Sequence, residues 1–139
     1  MNRSIIATSS LIRKYKKRPF SVCLIEDNKL YLQGLVHQIK NSIPNIKLSG
    51  FSRSSTFMQN LRHKPDIAIV DFNLDERSEI EGIELIRELK AQSPKTKIIV
   101  LTGEKSKFIE EECRNEGVFD YVIKEDKAIE TIAEEIESI

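Results

Sequence analysis

The stretch Ile67-Ala68-Ile69-Val70-Asp71-Phe72-Asn73 constrains the fold more than any other part of the chain. Four apolar residues run directly into a carboxylate with no polar alternation. Such a run suits a strand covered on both faces, as in parallel sheets; a half-exposed strand would alternate. Sheets of this type bind ligands just beyond the carboxyl ends of their strands, and Asp71 stands at such an end. Three other runs end in the same way. Val22-Cys23-Leu24-Ile25 leads into Glu26-Asp27, Ile98-Ile99-Val100-Leu101 into Thr102-Gly103, and Tyr121-Val122-Ile123 into Lys124. Strands laid side by side would bring three carboxylates, a hydroxyl and an ammonium to one edge of the sheet.

Helical patterns separate these runs. After a first strand over 20–26, Asn28 is placed to cap a helix whose stripe is Leu32, Leu35, Val36 and Ile39, and which Asn41 and Pro44 end. Ile46-Lys47-Leu48-Ser49 alternates, so the second strand is expected at a half-exposed sheet edge. Ser54 or Ser55 is the expected cap of a second helix, with Phe57, Met58 and Leu61 inward. Past Asp71, Ser78 and Glu81 fit a capping box for a third helix, with Gly82, Leu85, Ile86 and Leu89 toward the sheet and Ser93-Pro94 as its stop. A strand over 97–102 follows, then a fourth helix over 105–116 with a weak stripe of Phe108, Ile109 and Cys113, ended by Gly117. A fifth strand over 120–124 leads to a helix over 126–138. Its apolar side carries Ile129, Ile132, Ala133 and Ile136, and Glu130, Glu134, Glu135 and Glu137 are expected mainly in water.

These are five βα units, a doubly wound α/β fold with helices on both faces of a five-stranded parallel sheet. The strand order 2-1-3-4-5 puts the exposed second strand at an edge and Asp27 beside Asp71 at a topological switch point; this order is the one known from flavodoxin-like sheets. At 139 residues the chain is one domain over 20–139, preceded by a basic extension over 1–19. That extension holds six of the 22 basic residues and no acid, leaving 16 bases against 22 acids, a net of −6 for the rest. A basic tail either contacts nucleic acid, lipid or a partner or is simply solvated, and no direct nucleic-acid contact is assigned to it. No apolar run approaches the roughly 20 residues of a membrane span, and the first residues carry no secretory signal pattern. Cys23, within a strand run, and Cys113, within a helix pattern, have neither metal nor redox spacing, so a reduced, cytoplasmic chain is expected.

Three carboxylates in one crevice ionise together only if a cation balances them. Glu26, Asp27 and Asp71 are hard oxygen donors with no His or Cys close in sequence, a set that suits Mg²⁺. Each group alone also fits an ordinary role: the acidic pair as a loop with a helix cap, Asp71 as a turn cap, Thr102 as a structural hydroxyl, Lys124 as a surface cation. The combination at four strand ends is what sets them apart.

In that order the groups resemble the receiver domain of two-component response regulators, over about residues 20–139. The resemblance rests on Glu26-Asp27, on Asp71 after Ile-Ala-Ile-Val, on Gly82 in Glu-Gly-Ile-Glu-Leu-Ile, on Thr102 in Val-Leu-Thr-Gly and on Lys124 in Tyr-Val-Ile-Lys. It implies that Asp71 accepts a phosphoryl group from the phosphohistidine of a histidine kinase or histidine phosphotransfer protein. It implies further that Asp27, Glu26, Asp71 and the backbone carbonyl of Asn73 hold Mg²⁺, and that Thr102 and Lys124 hold the phosphoryl oxygens. Thr102 and Tyr121 would then form the switch, with Tyr121 turning inward. The fourth helix, fifth strand and fifth helix would present the surface read by a downstream protein or a second copy. Asn73 and Glu104, each two residues past Asp71 and Thr102, are expected to flank the approach of water and set the lifetime of the acyl phosphate. The chain departs from the pattern in having no proline after Asp71, a longer spacing to Gly82, and Glu125 where a proline often follows the lysine. A chain ending with its fifth helix is expected to be a stand-alone receiver that catalyses only its own phosphorylation and dephosphorylation. Two alternatives differ in class: a phosphorylation-independent interaction module, and an aspartate-nucleophile phosphatase, which Asp71-x-Asn73 loosely resembles but for which Asn73 cannot transfer the proton.

Overall fold

A computed structural model describes residues 19–71, 79–103 and 105–139. Strands β1 (Phe20–Ile25), β2 (Ile46–Phe51), β3 (Ile67–Asp71), β4 (Lys97–Thr102) and β5 (Asp120–Ile123) form one parallel sheet in the order β2-β1-β3-β4-β5. The helices between and after them are α1 (Lys29–Ser42), α2 (Ser54–Asn60) with a 3₁₀ turn over Leu61–His63, α3 (Glu79–Gln92), α4 (Lys107–Asn115) and α5 (Ala128–Ser138).

The unalternating runs are central. All five residues of β3 are buried, and so are five of the six in β4. The alternating run became the edge strand β2, with Lys47 and Gly50 exposed. Successive side chains point to opposite faces of the sheet, and two apolar layers result. Cys23, Ile25, Ala68, Val70, Ile98 and Val100 meet α2, α3 and α4 through Phe57, Ile86, Leu89, Ile109 and Cys113. Val22, Leu24, Ile67, Ile69, Ile99 and Leu101 meet α1 and α5 through Leu35, Ile39, Ile132 and Ile136. Completely burying one such aliphatic side chain contributes about 1.5–3 kcal/mol, so these two layers, rather than surface pairs, hold the strand ends in place.

Local signals account for most boundaries. Asn28 caps α1, its side chain accepting the Tyr31 N–H at 3.0 Å. Ser106 does the same for α4 with Ile109, at 3.3 Å. Gly117 follows α4 at φ 88°, left-handed backbone that favours glycine. The capping-box residue Ser78 lies outside the described residues.

Three expectations are corrected. The cap position of α2 is Arg53, and Ser54 is the first helical residue; the Thr56 hydroxyl instead donates to the Arg53 carbonyl at 3.1 Å. Phe108 is 65% exposed, so only Ile109 and Cys113 anchor α4. Glu135 is not mainly in water. Its carboxyl packs beside Asp120, its Oε2 is buried, and burial followed by that neighbouring carboxyl pushes it up to about 8.

Candidate phosphoacceptor site

The register brings the strand ends level. Ile25 pairs with Val70, Asp71 with Leu101, and Thr102 with Ile123, so Glu26, Asp71, Thr102 and Lys124 fall along one edge of the sheet. Backbone bonds extend that edge past the strands: Glu26 N–H donates to Phe51 O at 3.0 Å, and Lys124 N–H to Thr102 O at 2.7 Å. Three of these four side chains are sealed in. Glu26 is 2% exposed, Asp71 4% and Thr102 1%. Polar groups this deep are unusual unless paired.

The pairing is incomplete. Lys124 Nζ lies 2.6 Å from Asp71 Oδ1. Glu26 Oε1 accepts the Asn28 N–H at 3.0 Å. Among the described residues Glu26 Oε2 and Asp71 Oδ2 meet no hydrogen-bond donor. Burial first, and then the neighbouring Asp71 carboxyl, push Glu26 up to about 8, against the pull of the Asn28 N–H and the Lys124 ammonium. Two buried carboxyls therefore compete for one cation. Orphaned carboxylate oxygens beside a carboxyl pushed into its neutral form are what a hard divalent cation would relieve, so this pair fits Mg²⁺. Asp27 is half-buried at the rim, and among the described residues no three Asp, Glu, His or Cys side chains already stand together as a metal cluster. Asn73 and Glu104 lie outside the described residues.

Two aromatics complete the site. Tyr121 is 7% exposed and packs in the core layer under α4. Tyr31 was not singled out by the sequence, although it stands one turn before Leu35 at the start of the apolar stripe of α1. Its ring centroid is 4.3 Å from Lys124 Nζ. The cysteines do not take part: burial raises Cys23 to about 12 and Cys113 to about 11.

Comparison with known proteins identifies the family. The family model described as response regulator receiver domain matches residues 22–137. The chain is 31% identical over 103 residues to the virulence transcriptional regulatory protein PhoP of Salmonella typhimurium, covering 74% of this chain and 44% of PhoP. It spans less than half the length of the relatives it matches. The receiver domain of the response regulator NarL from Mycobacterium tuberculosis superposes with a TM-score of 0.70 at 14% identity, covering 86% of this chain and 97% of that one. A Burkholderia pseudomallei response regulator, whose structure has a phosphorylated aspartic acid, calcium ion and citrate, superposes with a TM-score of 0.66 at 21% identity, covering 86% of this chain and 71% of that one. With the family matched from the first strand through the last helix, and with an acidic pit closed by a lysine at the carboxyl edge of a 2-1-3-4-5 sheet, this chain belongs to the response regulator receiver domain family.

Proposed function

We propose that Asp71 is the phosphoacceptor of a two-component or phosphorelay pathway. The observation that carries this reading is the pit itself: a buried carboxylate at a strand end, an ammonium 2.6 Å away, and a second buried carboxyl beside it. A carboxylate oxygen of Asp71 attacks phosphorus, and the bond to the donor nitrogen of a phosphohistidine breaks with its electron pair passing to the imidazole. Positioning and charge compensation supply most of the catalysis in such a transfer. Lys124 is placed to follow the charge from Asp71 to the incoming phosphoryl oxygens, and Thr102, at the end of the adjacent strand, can donate its hydroxyl to one of them. Glu26, Asp27, Asp71 and the Asn73 carbonyl would hold Mg²⁺, which supplies charge neutralisation. Asn73 and Glu104 are the groups we assign to control of hydrolysis.

Receiver domains are generally signalling modules rather than enzymes, working between histidine kinases and downstream effectors. For this chain we assign the output to α4, β5 and α5. Helix α4 is short and anchored by two buried residues, Ile109 and Cys113, so little packing opposes its movement. The switch that moves this surface is assigned to Thr102 and Tyr121, the hydroxyl shifting toward the phosphoryl group and the buried ring following beside β5. No helix among the described residues is long and apolar enough to cross a membrane, and a cytoplasmic location fits partners of this kind.

The test is intact mass after incubation with Mg²⁺ and a small phosphodonor. A gain of about 80 Da, one phosphoryl group, that disappears in Asp71→Asn supports the reading, and an adduct of equal rate in that variant overturns the assignment. The alternative is an interaction module that works without phosphorylation. That reading predicts no mass change at all, whereas a phosphatase would turn the donor over without an adduct.

A further inference from the structure

We propose that Tyr31 is a positioning residue for Lys124, holding the ammonium over Asp71 and tying it to the first turn of α1. The inference rests on the phosphoacceptor reading for its consequence but not for its contact. Lys124 needs such a restraint. Its stem is long and flexible, which makes its ammonium a mobile point charge, and it lines an open groove of about 650 Å³ between α1 and α5. Nothing in the strand holds the far end of the side chain, because the backbone bond to Thr102 fixes only the main chain. Tyr31 lines the same groove and places its ring face 4.3 Å from Nζ, while Nζ keeps its 2.6 Å approach to Asp71 Oδ1. The cation is held between a carboxylate on one side and an electron-rich face on the other.

The ring is itself anchored to the acidic pit. Glu26 Oε1 accepts the Asn28 N–H at 3.0 Å, and Asn28 Oδ1 accepts the Tyr31 N–H at 3.0 Å. A continuous path therefore runs from Glu26 through the helix cap to Tyr31, then to Lys124 and Asp71. Tyr31 is 41% exposed, far more than a tyrosine kept for core packing. Burial raises its phenol, against the charge and hydrogen bond of Lys124, so the ring face and the neutral hydroxyl both meet the ammonium. Phenylalanine should then keep the larger part of the hold, and leucine, without a π face or a hydroxyl, should keep none.

Two measurements on the full chain decide this. The first is the proton shift of the Lys124 ε-methylene in lysine-labelled protein, identified by its loss in Lys124→Gln. The ring should move it upfield in the wild type and in Tyr31→Phe, and it should return to the free-lysine position in Tyr31→Leu. A shift indifferent to Tyr31→Leu overturns the contact. The second is the rate of adduct formation with a small phosphodonor. Tyr31→Leu should slow it about three- to tenfold, Tyr31→Phe should restore most of it, and Tyr31→Leu should add nothing in the Lys124→Gln background. Equal slowing in the Phe and Leu variants, or slowing that persists without Lys124, overturns the positioning role. A wild type that takes no phosphoryl group refutes the phosphoacceptor reading, and the positioning role with it, while the methylene shift still decides the contact.

Discussion

Glu26→Gln should make the metal-free protein more stable at neutral pH. The carboxyl ionises near 4.5 in the unfolded chain and at about 8 in the fold, because it is buried beside Asp71. An acid whose folded value is raised leaves the fold most stable below pH 4.5, and stability falls as pH rises through 8. At pH 7 the unfolded chain has released the proton and the fold still holds most of it. About 2.5 pH units separate 4.5 from 7, and each is worth about 1.4 kcal/mol, so the ceiling is about 3.5 kcal/mol. Relaxation of the site and the nearby Lys124 take back part of this, which leaves about 1–2 kcal/mol. Glutamine never carries the charge. Its amide oxygen can keep the Asn28 N–H, and its NH₂ can replace the hydrogen bond that protonated Glu26 gives Asp71. In chelator, urea melts from pH 4 to 8 should coincide for the two proteins at the acid end and separate upward. At pH 7 the variant should melt higher, by about 3–5 °C per kcal/mol. Added Mg²⁺ should narrow the gap: at ten times its Kd the wild type gains about 1.4 kcal/mol, and the variant, lacking a ligand, gains less. Curves that coincide at every pH, or a variant less stable at pH 7 in chelator, would refute the reasoning.

Other expectations rest on single features. Gly117→Ala should cost about 1–2 kcal/mol in urea unfolding, because φ 88° strains any side chain, and the new Cβ would also meet Lys90 Cε at 3.3 Å. Glu135 has the same sign as Glu26, raised from 4.5 to about 8, so Glu135→Gln should gain stability over the wild type across that window and none below pH 4.5; equal melting at pH 5 and pH 8 would count against the carboxyl pair with Asp120. Amide exchange with and without beryllofluoride should change across 104–124, and changes confined to the loops after β1 and β3 would leave α4 out of the switch.

The sequence carried the strand ends because burial is written into composition. Ile67–Val70 and Ile98–Leu101 have no polar face, so they could only be central, and β2 alternates, so it could only be an edge. The order of the chemical groups then followed from the order of the strands. Helix faces were less legible where the helix is short. Phe108 and Ile109 are neighbours, and a nine-residue helix has too few turns for spacing to say which one faces inward; the start set by Ser106 decided for Ile109. Glu135 and Asp120 are fifteen residues apart, and no local pattern joins them; the antiparallel return of α5 along β5 does.

Tyr31 marks the boundary between these cases. Nothing in its spacing set it apart, because an aromatic one turn before Leu35 reads as a continuation of the apolar stripe. Yet its position was available in principle. Asn28 is a strong cap signal, a cap fixes the first helical turn, and the first turn of a helix that follows β1 must stand over the strand ends where Lys124 lies. An exposed ring in that turn meets whatever cation the last strand presents. What the sequence could not give is the 4.3 Å separation, which depends on how far α1 sits above β5, a quantity set by the packing of Leu35 and Ile39 on the sheet. The core layer under α1 thus fixes the distance on which the ring's hold over Lys124 depends, and truncation of Ile39 should loosen that hold before it unfolds the domain.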